Sequence, residues 1–248
     1  MTNRPVLIVG AGPTGFVLAL WLTRLGTSVR IIDKTAEPDT TSRALAVQAR
    51  TLECYHQVGL SDVVIAGGVK IAHLTFWVQG AKAARVPLER LGEGVSPYPF
   101  ALIFPQDAYE RVLIEHLGAV GVSVERQTEL LRFAHHAGGV RAVLRRLDGC
   151  EEVCDAAYLA GCDGASSTVR DALAIGFPGG TYTGLFYVAD VEATGLATDD
   201  ELYVDLEDFI VDSRDSGLPE RMTIAQNRRR CREIKIIVNS PPVSNMTE

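Results

Sequence analysis

The stretch GAGPTG places Gly10, Gly12 and Gly15 in a G-x-G-x-x-G spacing directly after the apolar run Pro5–Val9. The chemistry such a loop can do is to hold a diphosphate. Gly10 permits the sharp turn out of a strand. Gly12 has no Cβ, so a pyrophosphate can approach the backbone, and Gly15 lets the following helix lie close to the sheet. Pro13 fits the first helical turn, where its missing N–H costs nothing, and Thr14 follows it. The helix amino end supplies unpaired N–H groups and roughly half a positive charge. A second apolar run, Val29–Ile32, ends in Asp33 and Lys34, with Asp33 lying 18 residues past Gly15. A carboxylate there accepts hydrogen bonds from an adenosine ribose and repels a 2′-phosphate, so the loop suits FAD or NAD over NADP.

Other reactive side chains fit weaker patterns. GCDGASSTVR (Gly161–Arg170) is a second acidic turn among small residues. A pyrophosphate carries about two negative charges, more than one helix end offsets, so an arginine beside it is expected, and Arg43 and Arg111 are candidates. Loop and helix-surface roles account for the same two residues by type. The five cysteines are odd in number and scattered, which favours reduced thiols over a disulfide framework. Cys150 and Cys154 could pair with a metal only through His135 and His136, and adjacent histidines on a strand point to opposite faces. No metal site is expected. Cys162 reads as a small filler and His73 as strand packing, since neither has a nucleophile–base partner in the pattern.

The elements that must position these residues follow from periodicity. Pro13–Leu25 reads as a buried helix closed by Gly26, which makes a strand–helix–strand unit of the parallel kind. Val47–Gln57 looks helical, and Ile71–Gln79 and Ala84–Leu88 alternate as strands. A helix begins near Pro105, and Gly121–Glu125 is strand-like. Leu130–Phe133, Val140–Arg146 and Glu152–Leu159 suggest a three-stranded antiparallel patch. The glycine-rich Gly176–Gly184 reads as a linker, followed by strands at Leu185–Val191 and Glu201–Leu206. Residues 209–248 hold seven Lys/Arg against five Asp/Glu and show little periodicity beyond Ile234–Val238. Their arginine run reads as a solvated charged segment. With 248 residues, 47% apolar and 22% charged, the chain affords a sizeable core. Its net charge of −7 argues against non-specific nucleic-acid binding. No apolar run is long enough for a membrane span and no signal peptide is evident, so a cytoplasmic location is expected.

Taken in order, GAGPTG with Asp33, SRALAVQARTLE (Ser42–Glu53), FPQDAYERVLIEHL (Phe104–Leu117) and YLAGCDGASSTVR (Tyr158–Arg170) resemble the class A, single-component FAD-dependent aromatic hydroxylases. The likeness is nearest the polyketide, phenol and rifampicin hydroxylases and covers roughly residues 5–206. The resemblance implies an α/β fold: a Rossmann-like FAD-binding domain with a parallel sheet and a three-stranded antiparallel patch, plus a partial β-sheet substrate domain. The FAD domain would comprise residues 1–72 and 99–175, and the substrate domain 73–98 and 176–208, with 209–248 a divergent tail. Cofactor contacts would come from Gly10, Gly12, Pro13, Thr14, Gly15, Asp33, Lys34, Arg43, Gln106, Arg111, Asp163 and Gly164. Phe76, Trp77 and Tyr187 would line an aromatic substrate lying between the FAD domain and the sheet, although core packing is the commoner role for any single one of them. The activity implied is hydroxylation of a phenolic or polyketide-like ring through a flavin C4a-hydroperoxide, with dioxygen as co-substrate and NADPH or NADH as reductant. No side chain then needs a catalytic role, because the flavin carries the reaction.

Departures qualify the likeness. Ser166 stands where the family usually has arginine, and Asp33 replaces the commoner glutamate. The family's late Gly-Asp motif is not found, and the composition changes near Phe209. The expectation is therefore a truncated or frame-shifted chain, with open sheet edges that favour self-association. The alternative to a working monooxygenase is an FAD-binding module without turnover. A halogenase reading lacks its lysine and tryptophan motif.

Overall fold

The computed structural model describes residues 4–38, 46–78, 81–180, 185–191, 200–205 and 234–240. Along the chain run β1 (Val6–Val9), α1 (Pro13–Arg24), β2 (Val29–Ile32), β3 (Ala46–Val47), α2 (Ala49–Gln57), α3 (Ser61–Gly67), β4 (Val69–Ile71), β5 (His73–Val78), β6 (Ala81–Pro87) and β7 (Ala101–Ile103). There follow α4 (Gln106–Ala119), β8 (Val124–Glu125), β9 (Glu129–His136), β10 (Gly139–Arg145), β11 (Glu151–Ala156), β12 (Tyr158–Gly161), α5 (Thr168–Ala172), β13 (Leu185–Val191), β14 (Glu201–Asp205) and β15 (Ile234–Ser240). Two compact units result. One is built from Met1–Ala44, Cys54–Gly67 and Pro105–Pro178, the other from Leu45–Glu53, Gly68–Phe104 and Gly179–Glu248.

The first unit centres on a parallel sheet in the order β12-β1-β2-β8. All four residues of β1 are buried, as a strand covered on both faces requires. Leu7 and Val9 share a core with Leu130, Ala142, Leu144, Cys154, Ala156 and Val169, so one face lies against the antiparallel sheet β11-β10-β9. Helix α1 buries Gly15, Phe16, Ala19 and Leu20. Fully burying Phe16 stabilises by roughly 1.5–3 kcal/mol. Helix α4 buries Glu110, Leu113 and Leu117, spaced three and four residues apart on one stripe.

One segment departs from the expected pattern. Glu152–Leu159 is not a single strand of the antiparallel patch. It divides at Ala157, whose N–H donates to Pro5 O at 2.9 Å. β11 stays in the patch, while β12 crosses into the central sheet and pairs parallel to β1, from Val6↔Tyr158 to Val9↔Gly161. The reason is burial: Ala156 is fully buried under the patch, whereas its continuation can satisfy its backbone groups along the open edge of β1. That crossing delivers the second acidic turn to the end of β1.

The second unit contains three sheets: β14-β5-β6, β3-β7-β4 and the pair β13-β15. Ile71, Leu88 and Ile103 form its small core, with Leu74 and Leu202 packed on it. Strand β15 pairs antiparallel with β13 and includes the Ile234–Val238 run expected to be periodic. Strand β7 and helix α3 were not legible as periodic segments. Among the described residues, no helix is long and apolar enough to cross a membrane.

Candidate functional site

A cleft of about 660 Å³ opens at the carboxyl ends of β1, β2 and β12, where an open parallel α/β sheet binds its ligands. Gly10, Gly12, Pro13, Asp33, Lys34, Gln106, Asp163 and Gly164 all lie on its wall, together with Glu110, Arg126, Cys162 and others. Residues from five separate sequence stretches thus meet at one place.

The glycines divide the work. Gly10 adopts φ +105°, and a Cβ on it would lie 2.3 Å from the carbonyl oxygen of Cys162. The same closeness is held by the Cys162 N–H, which donates to Val9 O at 2.7 Å. A Cβ on Gly15 would lie 2.0 Å from Gly10 O, so this glycine lets α1 sit on the end of β1. A Cβ on Gly12 would meet no protein atom within 4 Å. Its freedom from a side chain serves what enters the cleft, not the packing of the protein. No side chain caps α1, and Pro13 has no N–H to satisfy. An anion at the helix amino end supplies the missing partner. The cradle therefore fits the diphosphate of FAD. Thr14 is exposed in the first turn and is not part of the cleft wall.

Asp33 is tied into the same loop. Its Oδ2 accepts from Ala11 N–H at 2.7 Å, and its Oδ1 accepts from the N–H and hydroxyl of Thr35 at 2.8 and 2.7 Å. Burial pushes this carboxyl up, but the Ala11 and Thr35 hydrogen bonds and the nearby Arg126 more than offset it, and the net result lies below the ordinary aspartate value. An ionised carboxylate offers about four acceptor positions, so Asp33 retains capacity for a ribose hydroxyl. Arg126, which sequence reasoning missed, stands 3.9 Å from Asp33 Oδ1 and donates from Nη1 to Thr35 Oγ1 at 3.1 Å.

The second acidic turn is turned partly upon itself. Asp163 Oδ1 accepts from Ser167 Oγ at 2.5 Å and Oδ2 from Val169 N–H at 3.2 Å, while Ser167 Oγ caps α5 by accepting from Arg170 N–H at 3.0 Å. Gly164 takes φ +78°, a left-handed turn that glycine adopts without strain. Arg170 donates to Ala165 O at 2.7 Å and stacks over Phe177. The Asp163 carboxylate thus fixes the turn, and Gly164 presents bare backbone to the cleft. Burial, and then the Asp163 charge, push the Cys162 thiol up, which suits a filler and not a nucleophile.

On α4, Gln106 Nε2 donates to Glu110 Oε1 at 2.8 Å, and both face the cleft. Glu110 is buried, a placement its residue type did not announce. Arg111 is not brought to the site. It is exposed, and its guanidinium pairs with Asp107 one turn back on α4. Arg43 lies outside the described residues. Phe76 and Trp77 fall on β5 in the second unit. There β5 keeps parallel register with β14, while its antiparallel register with β6 shifts between the two residues. Tyr187 sits on β13, and its side chain lies outside the described part. Among the described residues no group of three or more His, Cys, Asp or Glu side chains could hold a metal ion.

A parallel-sheet α/β unit with a glycine cradle, a strand-end acid and a second acidic turn defines a dinucleotide-binding class. Residues 3–240 match the profile of the FAD binding domain family, and the chain belongs to that family. The match extends past residue 208 into the segment set apart by composition. The chain is 42% identical over 212 residues to 6-methylpretetramide 4-monooxygenase of Streptomyces rimosus, covering 86% of this chain and 35% of that one. It is 36% identical over 183 residues to pentachlorophenol 4-monooxygenase of Sphingobium chlorophenolicum, covering 73% and 33%. A solved ternary complex of aklavinone-11 hydroxylase with FAD and aklavinone superposes with a TM-score of 0.77 at 26% identity, over 96% of this chain and 46% of that one. The chain thus spans about a third of the length of these curated relatives.

Proposed function

We propose that this chain is the FAD-holding part of a monooxygenase acting on aromatic compounds. The observation that supports it best is the pairing of a Gly12 position open to ligand with a Gly10 position closed against Cys162. Only the first is needed by a diphosphate, and only the second by the fold. The first turn of α1 binds the diphosphate, and Asp33 accepts a ribose hydroxyl. Gln106 and the Asp163–Gly164 turn, on the same cleft wall, orient the remainder of the cofactor. Bound FAD supplies two-electron redox chemistry and dioxygen activation, with NADPH or NADH as reductant and an electron-rich aromatic ring as oxygen acceptor. The relatives' names carry 6-methylpretetramide, pentachlorophenol and aklavinone, and an aromatic substrate of phenolic or polyketide-like class is proposed here.

Titration of the purified chain with FAD, followed by anaerobic addition of NADPH or NADH, tests this. Bound flavin whose absorbance near the visible maximum bleaches with reductant supports the monooxygenase reading. Flavin that binds and never bleaches favours an FAD-binding module without turnover. Absence of binding refutes both.

A further inference from the structure

We propose that Arg126 is an adenosine-binding residue of the cleft, delivered there by a left-handed turn at Gln127. The inference rests on the FAD reading above and deepens it. Gln127 has φ +53°, an uncommon conformation for a residue with a Cβ. The turn is strapped to the strand-end acid by three backbone hydrogen bonds: Asp33 N–H to Glu125 O at 2.9 Å, Gln127 N–H to Thr35 O at 3.1 Å and Thr128 N–H to Asp33 O at 2.9 Å. The strained residue is thus held in place by the very segment that bears Asp33, which is how strain persists at a ligand site.

The guanidinium held there is under-used. Its side chain is 18% exposed on the cleft wall, yet among the described residues only Nη1 donates to a protein acceptor, Thr35 Oγ1. Nη2 is buried without a partner. Buried donors are paired in the great majority of cases, and an exception calls for an explanation. An acceptor that arrives with the ligand, met by a small rotation of the guanidinium toward the cleft, provides one. Its chemistry can be narrowed. The Asp33 carboxylate already stands beside this charge, and the diphosphate cradle is the separate first turn of α1. The incoming acceptor is therefore an uncharged one, a ribose oxygen or a ring nitrogen of adenine. Asp33 accepts hydrogen bonds and Arg126 only donates them, so the two together read both polarities of one nucleoside.

The test is calorimetric titration of the 248-residue chain with FAD, ADP and FMN, for the parent sequence, Arg126→Gln and Arg126→Lys. ADP retains the adenosine and lacks the flavin, and FMN has the reverse. We expect Arg126→Gln to weaken FAD and ADP alike by roughly ten- to thirtyfold and to leave FMN unchanged. Arg126→Lys, which keeps the charge beside Asp33 but loses the planar second donor, should fall between. If Arg126→Gln does not fold, the lysine variant decides. ADP and FAD affinities within twofold of the parent in a folded variant overturn the proposal while leaving the FAD reading intact. A loss confined to FMN also overturns it. A parent chain that binds neither FAD nor ADP removes the FAD reading, and this inference with it.

Discussion

Replacing Gly10 and Gly12 separately by alanine should divide folding from ligand binding. At Gly10 the new methyl would sit 2.3 Å from Cys162 O and 2.5 Å from Cys162 C, both backbone atoms, and φ is +105°. Neither can yield cheaply, because β1 and β12 are locked in parallel register up to Val9↔Gly161. The backbone conformation costs about 1–2 kcal/mol, and overpacking adds about 1–3 kcal/mol. A loss of about 3 kcal/mol lowers Tm by about 10 °C in a domain of this size. At Gly12 the methyl meets nothing within 4 Å and φ is −96°. Reduced freedom of the unfolded chain and a slightly poorer N-cap oppose one another, so stability changes by less than about 1 kcal/mol. The methyl does fill the approach to the first turn. A diphosphate forced outward weakens one or two charge-assisted hydrogen bonds, about 3 kcal/mol or about a hundredfold in Kd. Thermal melting without nucleotide and calorimetry with FAD and ADP measure the two effects independently. The reasoning is refuted if Gly12→Ala binds FAD within threefold of the parent, or if it melts as early as Gly10→Ala.

Four further outcomes are expected. Asp33→Asn should destabilise the nucleotide-free chain at pH 7. A depressed folded pKa contributes stability that is present above the unfolded value, about 4, and is lost as pH falls through the folded value, so the gap between variant and parent in urea melts should close in acid. Arg30 bonds Glu125 through Nε and Nη2 at 2.8 and 2.7 Å and Glu152 through Nη1 at 2.7 Å, joining β2, β8 and β11. Arg30→Ala leaves two facing acids and should cost about 2–4 kcal/mol in urea unfolding, the lower end reflecting partly exposed partners. Asp163→Ala removes the acceptor for Ser167 Oγ and Val169 N–H, and hydrogen exchange should show α5 opening more readily, by about 1–2 kcal/mol. Arg111→Ala should leave FAD affinity unchanged in the same calorimetry, because its partner is Asp107 on its own helix.

What the sequence revealed and what it hid follow from the range of the interactions. The cradle was legible because a strand, a turn, a helix and a strand-end acid lie within residues 5–33, and each glycine answers a local steric demand. The Asp163–Gly164 turn was legible as a motif, but its route to the cleft was not. The break at Ala157 is set by competition between two sheets, the patch that buries Ala156 and the open edge of β1, and neither is visible in the alternation of Glu152–Leu159. Arg111 is the converse case, exposed and paired with Asp107. A charge at the right distance from a motif has no fixed helical face until the buried stripe Glu110, Leu113 and Leu117 is known, and that stripe turns Arg111 outward. Arg126 was hidden most completely. Its neighbours Asp33 and Thr35 lie about ninety residues earlier, and the turn that presents it owes its shape to hydrogen bonds from that distant segment, not to any turn residue of its own. The parts of the cleft that the chain writes locally are those that hold a phosphate. The placement of Arg126 beside Asp33 and Thr35 depends on segments meeting across the sheet, where a single sequence is least readable.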